Sequence, residues 1–166
     1  MAQGLTNLIF TESAWSLAEV KRAITLFRGM ENSKATRMLG TVYEHSDKIV
    51  AKQCALLAKA FLEKPHRIVG PETILSAHRQ YPRVLKKFCE TQAADLHRAV
   101  VRVVATNGGP EANKLLKLAL SDRAVVVRYA AAKALAEKPG YPAREQVRKL
   151  CTEEKGAYKE KFCLLQ

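Results

Sequence analysis

The second half of the chain repeats itself at a spacing of 31 residues. Leu85 to Gly109 reads LKKFCETQAADLHRAVVRVVATNGG, and Leu116 to Gly140 reads LKLALSDRAVVVRYAAAKALAEKPG. The shift carries Lys86 onto Lys117, Val103 onto Ala134, Val104 onto Leu135, Ala105 onto Ala136 and Gly109 onto Gly140. A fixed period of this length marks a stacked-repeat architecture, in which each unit buries its apolar face against its neighbours. Such stacks present surface more often than they perform chemistry, which directs attention to what the surface offers.

Proline and glycine punctuate the rest of the chain, and the stretches between them show apolar residues at 3–4 spacing without strand alternation. The expected class is all-α. A first helix starts at Thr11 to Ser13 and runs through Trp15, Leu17, Val20, Ile24 and Phe27 to Gly29. Ser33 caps a short second helix through Met38. Ser46 and Asp47 start a stronger one, whose stripe of Ile49, Val50, Cys54, Leu57, Phe61 and Leu62 ends before Pro65. Pro71 and Pro82 each open a further helix. Ala94 to Thr106 ends at the stop Asn107-Gly108-Gly109. Pro110 opens Glu111 to Leu120, and Asp122 caps Ala124 to Lys138. Pro142 to Cys151 and Lys155 to Phe162 make a helical tail.

These helices sort into antiparallel pairs, Pro82–Thr91 with Ala94–Thr106 and Pro110–Leu120 with Arg123–Lys138. Lys59 to Pro65 lines up with Lys133 to Pro139 and supplies a weaker third copy upstream. The expected fold is a right-handed α-α superhelical stack of about three helical pairs in one domain. Residues 1–33 form an N-terminal cap, 34–138 the repeat stack and 139–166 a C-terminal helical cap.

Asp122, Val127, Arg128, Ala131, Ala134 and Leu135 follow the pattern D-x4-V-R-x2-A-x2-A-L. This resembles the second helix of a HEAT repeat, and the short period is similar to the compact HEAT-like repeats of phycobilisome lyases. The match is best over Pro110 to Gly140. It is looser over Pro82 to Gly109, where Thr91 stands for the Asp and His97 for the Arg. The resemblance implies that Asp122 caps its helix and that Arg128 pairs with an acid of the neighbouring unit, both structural roles. It implies no single function, because the family hosts scaffolds, adaptors, DNA-binding proteins and lyases.

Laid in register, the second helices of the three copies place Lys59, Arg102 and Lys133 at one position, among residues that alternate with the apolar face. The resemblance puts such helices on the concave side of the stack. With Arg98 one turn before Arg102, these four are the candidate binding residues, a basic ridge. The chain holds 28 Lys and Arg against 16 Asp and Glu, a net charge of +12. Segment 65–149 alone carries 16 basic and 7 acidic residues. A field of that strength steers anionic partners. The reading is a non-catalytic scaffold or adaptor holding an acidic protein surface, as a subunit of a larger assembly. The alternative is a nucleic-acid-binding protein using the same face, with Tyr129 available to stack on a base. No zinc-finger, RNP or GXXG signature accompanies that charge. No H-E-x-x-H, G-x-S-x-G, P-loop or G-x-G-x-x-G pattern occurs either, so no catalytic residue, metal ligand or cofactor is assigned.

The four cysteines, Cys54, Cys89, Cys151 and Cys163, lack metal-type spacing and read as buried reduced thiols of a reducing, cytoplasmic setting. MAQGLTNLIF has no basic leader and too short an apolar run for a secretory signal, and Ala2 excludes N-myristoylation. No apolar run is long enough to span a bilayer. Cys163-Leu164-Leu165-Gln166 has the C-a-a-X form of a prenylation signal, with Lys155, Lys159 and Lys161 upstream. It competes with a reading in which Tyr158, Phe162 and Leu165 pack onto the stack, and only prenylation brings peripheral membrane contact.

Overall fold

The computed structural model describes residues 17–29, 33–63, 74–140 and 143–166. The expected helix start at Thr11 to Ser13 and the prolines Pro65, Pro71 and Pro142 lie outside them. Every regular element among the described residues is a helix: α1 (Leu17–Thr25), α2 (Ser33–Glu63), α3 (Ile74–Asn107), α4 (Gly109–Ala119), α5 (Val125–Ala136), α6 (Arg144–Glu153) and α7 (Ala157–Cys163). The helices pack on one another as an all-α stack.

Two helices are far longer than the punctuation suggests. Residues 33–63 form one helix of 31 residues, and residues 74–107 one of 34. The expected cap at Ser46 is instead an interior position. Ser46 Oγ donates to the Val42 carbonyl one turn back, at 2.7 Å, and the residue is buried. Thr91, expected to take the place of a capping Asp, does the same to the Lys87 carbonyl at 2.9 Å. Hydroxyl residues satisfied this way sit inside a helix without starting one. Pro82 lies within α3 as well. Its missing N–H costs one ladder bond, but the helix carries on, and its stripe of Cys89, Ala93, Leu96, Val100 and Val104 belongs to the core against which α2 packs. Pro82–Thr91 and Ala94–Thr106 are therefore one helix and do not form a hairpin.

α2 and α3 form an antiparallel pair. Cys54 is bonded to Cys89, while Tyr43, earlier on α2, stacks on His97, later on α3. The chain reverses where Gly108 and Gly109 take positive φ, of 68° and 82°, which glycine adopts without the Cβ clash. α4 then runs back along α3, and α5 returns after the short Leu120–Ala124 turn. α6 and α7 make the third pair. α4 also packs on α2, while α3, α5 and α7 lie side by side in the second layer, and α1 covers α3. Gly29 N–H donates to Asn107 Oδ1 at 2.9 Å, which pins the end of α1 to the end of α3.

The third unit thus lies downstream, over Arg144–Cys163. Lys59 to Pro65 is no upstream copy of a second helix, because Lys59 belongs to α2, a first helix of its pair. The core is one continuous set of mainly aliphatic residues, from Val20 and Leu39 through Leu96, Leu116 and Leu135 to Val147, closed by the aromatic Phe162.

The expectation of four reduced thiols is overturned. Cys54 is bonded to Cys89 and Cys151 to Cys163, with Cα separations of 6.3 and 4.8 Å, and no described cysteine is free. Sequence spacing concealed both bridges, because each depends on which residues face each other across an antiparallel pair. Disulfides persist in oxidising surroundings, so the argument for a reducing compartment fails with the thiols. Among the described residues no helix is long and apolar enough to cross a membrane.

Candidate functional site

Two layers of polar chemistry emerge from the second-layer helices α3, α5 and α7. One is buried between them and the other faces outward.

The buried layer is a latch used twice. His97 on α3 places Nδ1 2.7 Å from Oδ2 of Asp122, in the turn before α5. Tyr43 on α2 donates its hydroxyl to the same oxygen at 2.5 Å, and its ring stacks on the His97 imidazole at a centroid distance of 4.2 Å. The other oxygen of Asp122 accepts the Ala124 N–H at 2.7 Å. Ala124 is itself the N-cap residue and α5 has no side-chain cap, so the expected capping by Asp122 is replaced by a bond that orders the turn before the helix. One unit further on, Arg128 of α5 donates Nε, at 2.7 Å, and Nη2 to Oε1 of Glu154, which precedes α7. Its Nη1 donates to the carbonyls of Asp122 and Arg123 at 2.6 and 3.0 Å. In each case a nitrogen side chain on one second helix reaches the acid that introduces the next.

Tyr43, His97 and Asp122 are 7%, 9% and 8% exposed. Burial pushes the Asp122 carboxyl up, but the hydrogen bonds from His97, Tyr43 and the Ala124 amide outweigh it and hold the group below its ordinary range. An ionised carboxylate only accepts, so His97 Nδ1 carries the donated proton. Burial, and then the bond and charge of Asp122, push the Tyr43 phenol upward. A Tyr-His-Asp set resembles acid–base machinery, but none of the three lines the two clefts described next. One cleft, of about 370 Å³, runs between α2 and α4 along Thr36, Gly40, Glu44, Glu111, Lys114 and Leu118. The other, of about 520 Å³, lies among Ala136, Lys138, Gly140, Arg144, Leu165 and Gln166.

No protein-family model, curated protein or solved structure matches this chain. The function must be argued from the arrangement itself.

The outward layer consists of residues in shared register. Arg102 on α3 and Lys133 on α5 are both exposed, at equivalent positions of adjacent helices. Arg98 lies one turn before Arg102 and pairs with Asp95 of its own helix at 3.1 Å. Tyr129 lies one turn before Lys133. Its ring meets Tyr158 and Phe162 of α7 edge-on, at 5.8 and 5.7 Å. Lys161 of α7 sits over the Tyr158 ring at 4.7 Å and the Tyr129 ring at 5.8 Å. Arg98, Arg102, Tyr129, Lys133, Tyr158 and Lys161 thus mark a basic and aromatic face across three helices.

Lys59 does not belong to this face. The Cys54–Cys89 bridge sets Lys59 opposite the neighbourhood of Val84, about 18 residues and roughly 27 Å along α3 from Arg102. Lys161 joins the face instead, beside Tyr129 and one turn before the register of Arg102 and Lys133. The signal was present as the acid before each second helix: Glu154 follows Asp122 by 32 residues, one more than the repeat, and the same shift carries Tyr129 onto Lys161.

Cys163 Sγ is bonded to Cys151. Prenylation needs that thiol free, so the disulfide and the lipid exclude each other. Phe162 is fully buried, with Tyr158 and Leu165 packed against the core. Among the described residues, no cluster of three His, Cys, Asp or Glu side chains could hold a metal ion.

Proposed function

We propose that this protein is a non-catalytic scaffold or adaptor that holds an acidic protein partner on the outward face of α3, α5 and α7, as a subunit of a larger assembly. The observation that carries this reading is the shared register of Arg102 and Lys133, flanked by Arg98 and by Lys161 against its tyrosines. Parallel neighbouring helices tied by buried latches present these cations on a rigid frame, so little conformational entropy is lost on binding. The excess of positive charge over the whole chain adds steering toward an anionic partner.

A protein partner is favoured over nucleic acid by the use of the aromatic rings. Tyr129 and Tyr158 pack edge-on against each other or Phe162 and are covered by Lys161, so their faces are already engaged. Readers of single strands present such faces to bases.

The test compares partners captured from the native source by the wild-type chain and by Arg102→Glu/Lys133→Glu, with identification by mass spectrometry. An acidic protein retained by the first and lost by the second supports the reading. Unchanged capture refutes it. Sub-micromolar binding of a short duplex at physiological salt, in competition with an acidic peptide, would replace it with the nucleic-acid reading.

A further inference from the structure

Arg102, Lys133 and Leu164 follow one another at steps of 31 residues. Each stands two residues after a fully buried core residue: Val100 on α3, Ala131 on α5 and Phe162 on α7. Two residues turn a helix by about 200°, so all three point away from the core. One outward residue therefore stands at the same level of each of the three helices. The row is not basic throughout. Its third member, at the C-cap of α7, is a leucine that is 85% exposed. A second row lies one turn earlier and consists of Arg98, Tyr129 and Lys161, the last over the Tyr129 ring. Acids bound the two rows. Asp95 lies one turn before Arg98, and Glu137 one turn after Lys133. The positive strip that crosses α3, α5 and α7 is thus about as wide as one helix, roughly 10 Å.

On the reading that this face holds an acidic protein, we propose that the partner presents an α-helix laid across α3, α5 and α7. That helix carries carboxylates seven residues apart and an apolar residue seven further on. Spacing decides this. α3 packs on α5 and α5 on α7, and packed helices lie about 8–10 Å apart, so members of a row recur at about that interval. Seven residues of an α-helix advance about 10.5 Å and return to within about 20° of the same face. Glu or Asp at i and i+7 then meets Arg102 and Lys133, and an apolar residue at i+14 meets Leu164. An extended segment fits poorly, because its same-face residues recur at about 6.6 and 13 Å. A phosphate backbone has no use for a leucine at the end of the row. Leu164 also gives the partner helix a direction, with its apolar end over α7. Asp95 and Glu137 repel an acidic helix that drifts to either side of the strip.

The probe is a fluorescein-labelled, alanine-based helical peptide of about six turns, with Glu at i and i+7 and Leu at i+14. It is titrated with the full oxidised chain and followed by anisotropy. An isomer with the same three residues at i, i+5 and i+10, which scatters them around the helix, serves as control. Saturable binding of the first peptide at micromolar concentration is expected, and binding of the isomer about tenfold or more weaker. Arg102→Glu/Lys133→Glu, which changes only exposed side chains, should weaken the first peptide about tenfold or more and transfer preference to the same peptide with Lys in place of Glu. Leu164→Ser should weaken it about threefold, with no effect on a peptide carrying Gln at i+14. Equal binding of the two isomers overturns the proposal and leaves the broader acidic-partner reading standing. Absence of saturable binding also overturns it, and capture from the native source then decides the broader reading independently. Binding that survives Arg102→Glu/Lys133→Glu places the peptide elsewhere and overturns the proposal, as does a Leu164→Ser effect of the same size on the Leu and Gln peptides.

Discussion

His97 on α3 and Asp122 in the turn before α5 share a hydrogen bond of 2.7 Å across adjacent repeat units. The bond does three jobs through one carboxylate. It joins two units, it orders the turn before α5 through the Ala124 N–H, and with Tyr43 it draws α2 into the same junction. Removing it should be felt through the whole stack.

Asp122→Ala should therefore cost about 3 kcal/mol, because it leaves the His97 imidazole and the Tyr43 hydroxyl buried without their acceptor. Urea unfolding followed by circular dichroism measures this. A loss below about 1 kcal/mol would show that the junction is not a keystone of the fold.

The same carboxylate sets an acid limit. Its folded-state value lies below the ordinary one near 4, so its contribution is fully present above about pH 4 and is lost as pH falls through the folded value. Wild type and Asp122→Asn should thus differ most near neutrality and converge below about pH 4 in urea midpoints. A gap that widens in acid would contradict the assignment.

Tyr43 sets an alkaline limit of the opposite sign. Its phenol is raised in the fold, so the stability tied to it is complete below about pH 10, the usual phenol value, and drains away as pH rises further. In Tyr43→Phe that particular loss should vanish. Thermal melts between pH 8 and about 11 would show a shallower decline than in wild type.

Arg128 and Glu154 form the second latch, which holds only the last unit. Glu154→Ala should raise amide hydrogen exchange in α6 and α7 while leaving α2 and α3 protected. Arg128→Lys should not restore protection. A lysine cannot reach Glu154 and the carbonyls of Asp122 and Arg123 at once, as the guanidinium does.

The two bridges close loops of different length, at separations of 35 and 12 residues. Loop-closure entropy gives about 4 kcal/mol for Cys54–Cys89 and about 3 for Cys151–Cys163. Cys54→Ser/Cys89→Ser should lower the urea midpoint more than Cys151→Ser/Cys163→Ser. Intact mass with and without reductant should show two hydrogens gained per bridge.

Much of the second half of the fold was legible in the residues. Asn107-Gly108-Gly109 is a stop signal that needs no context, because only glycine takes the required φ freely. Arg128 pairs with the acid of the next unit, Glu154, while Asp122, expected to cap α5, bonds the Ala124 N–H in the turn before it. The first half misled because Ser46, Thr91 and Pro82 are boundary residues by propensity. Their helices are held by apolar stripes, Leu39 to Cys54 on α2 and Cys89 to Val104 on α3, that pack the two against each other. The residues of the expected basic ridge divide for a related reason. Arg102 and Lys133 share a register that counting along the sequence reveals. Lys59 shares only a local motif, and its helix runs in the opposite direction in the other layer.

The sequence by itself determined the all-helical class, the α4–α5 pair and the sign of the surface charge, because periodicity, glycine stops and composition are local properties. Only the tertiary structure decided that α2 and α3 are single long helices, that Cys54 meets Cys89 and Cys151 meets Cys163, and that Lys161 completes the basic face that Lys59 was expected to share. Each of these depends on which residues face each other across packed helices, and that register is set by the burial of whole stripes at once.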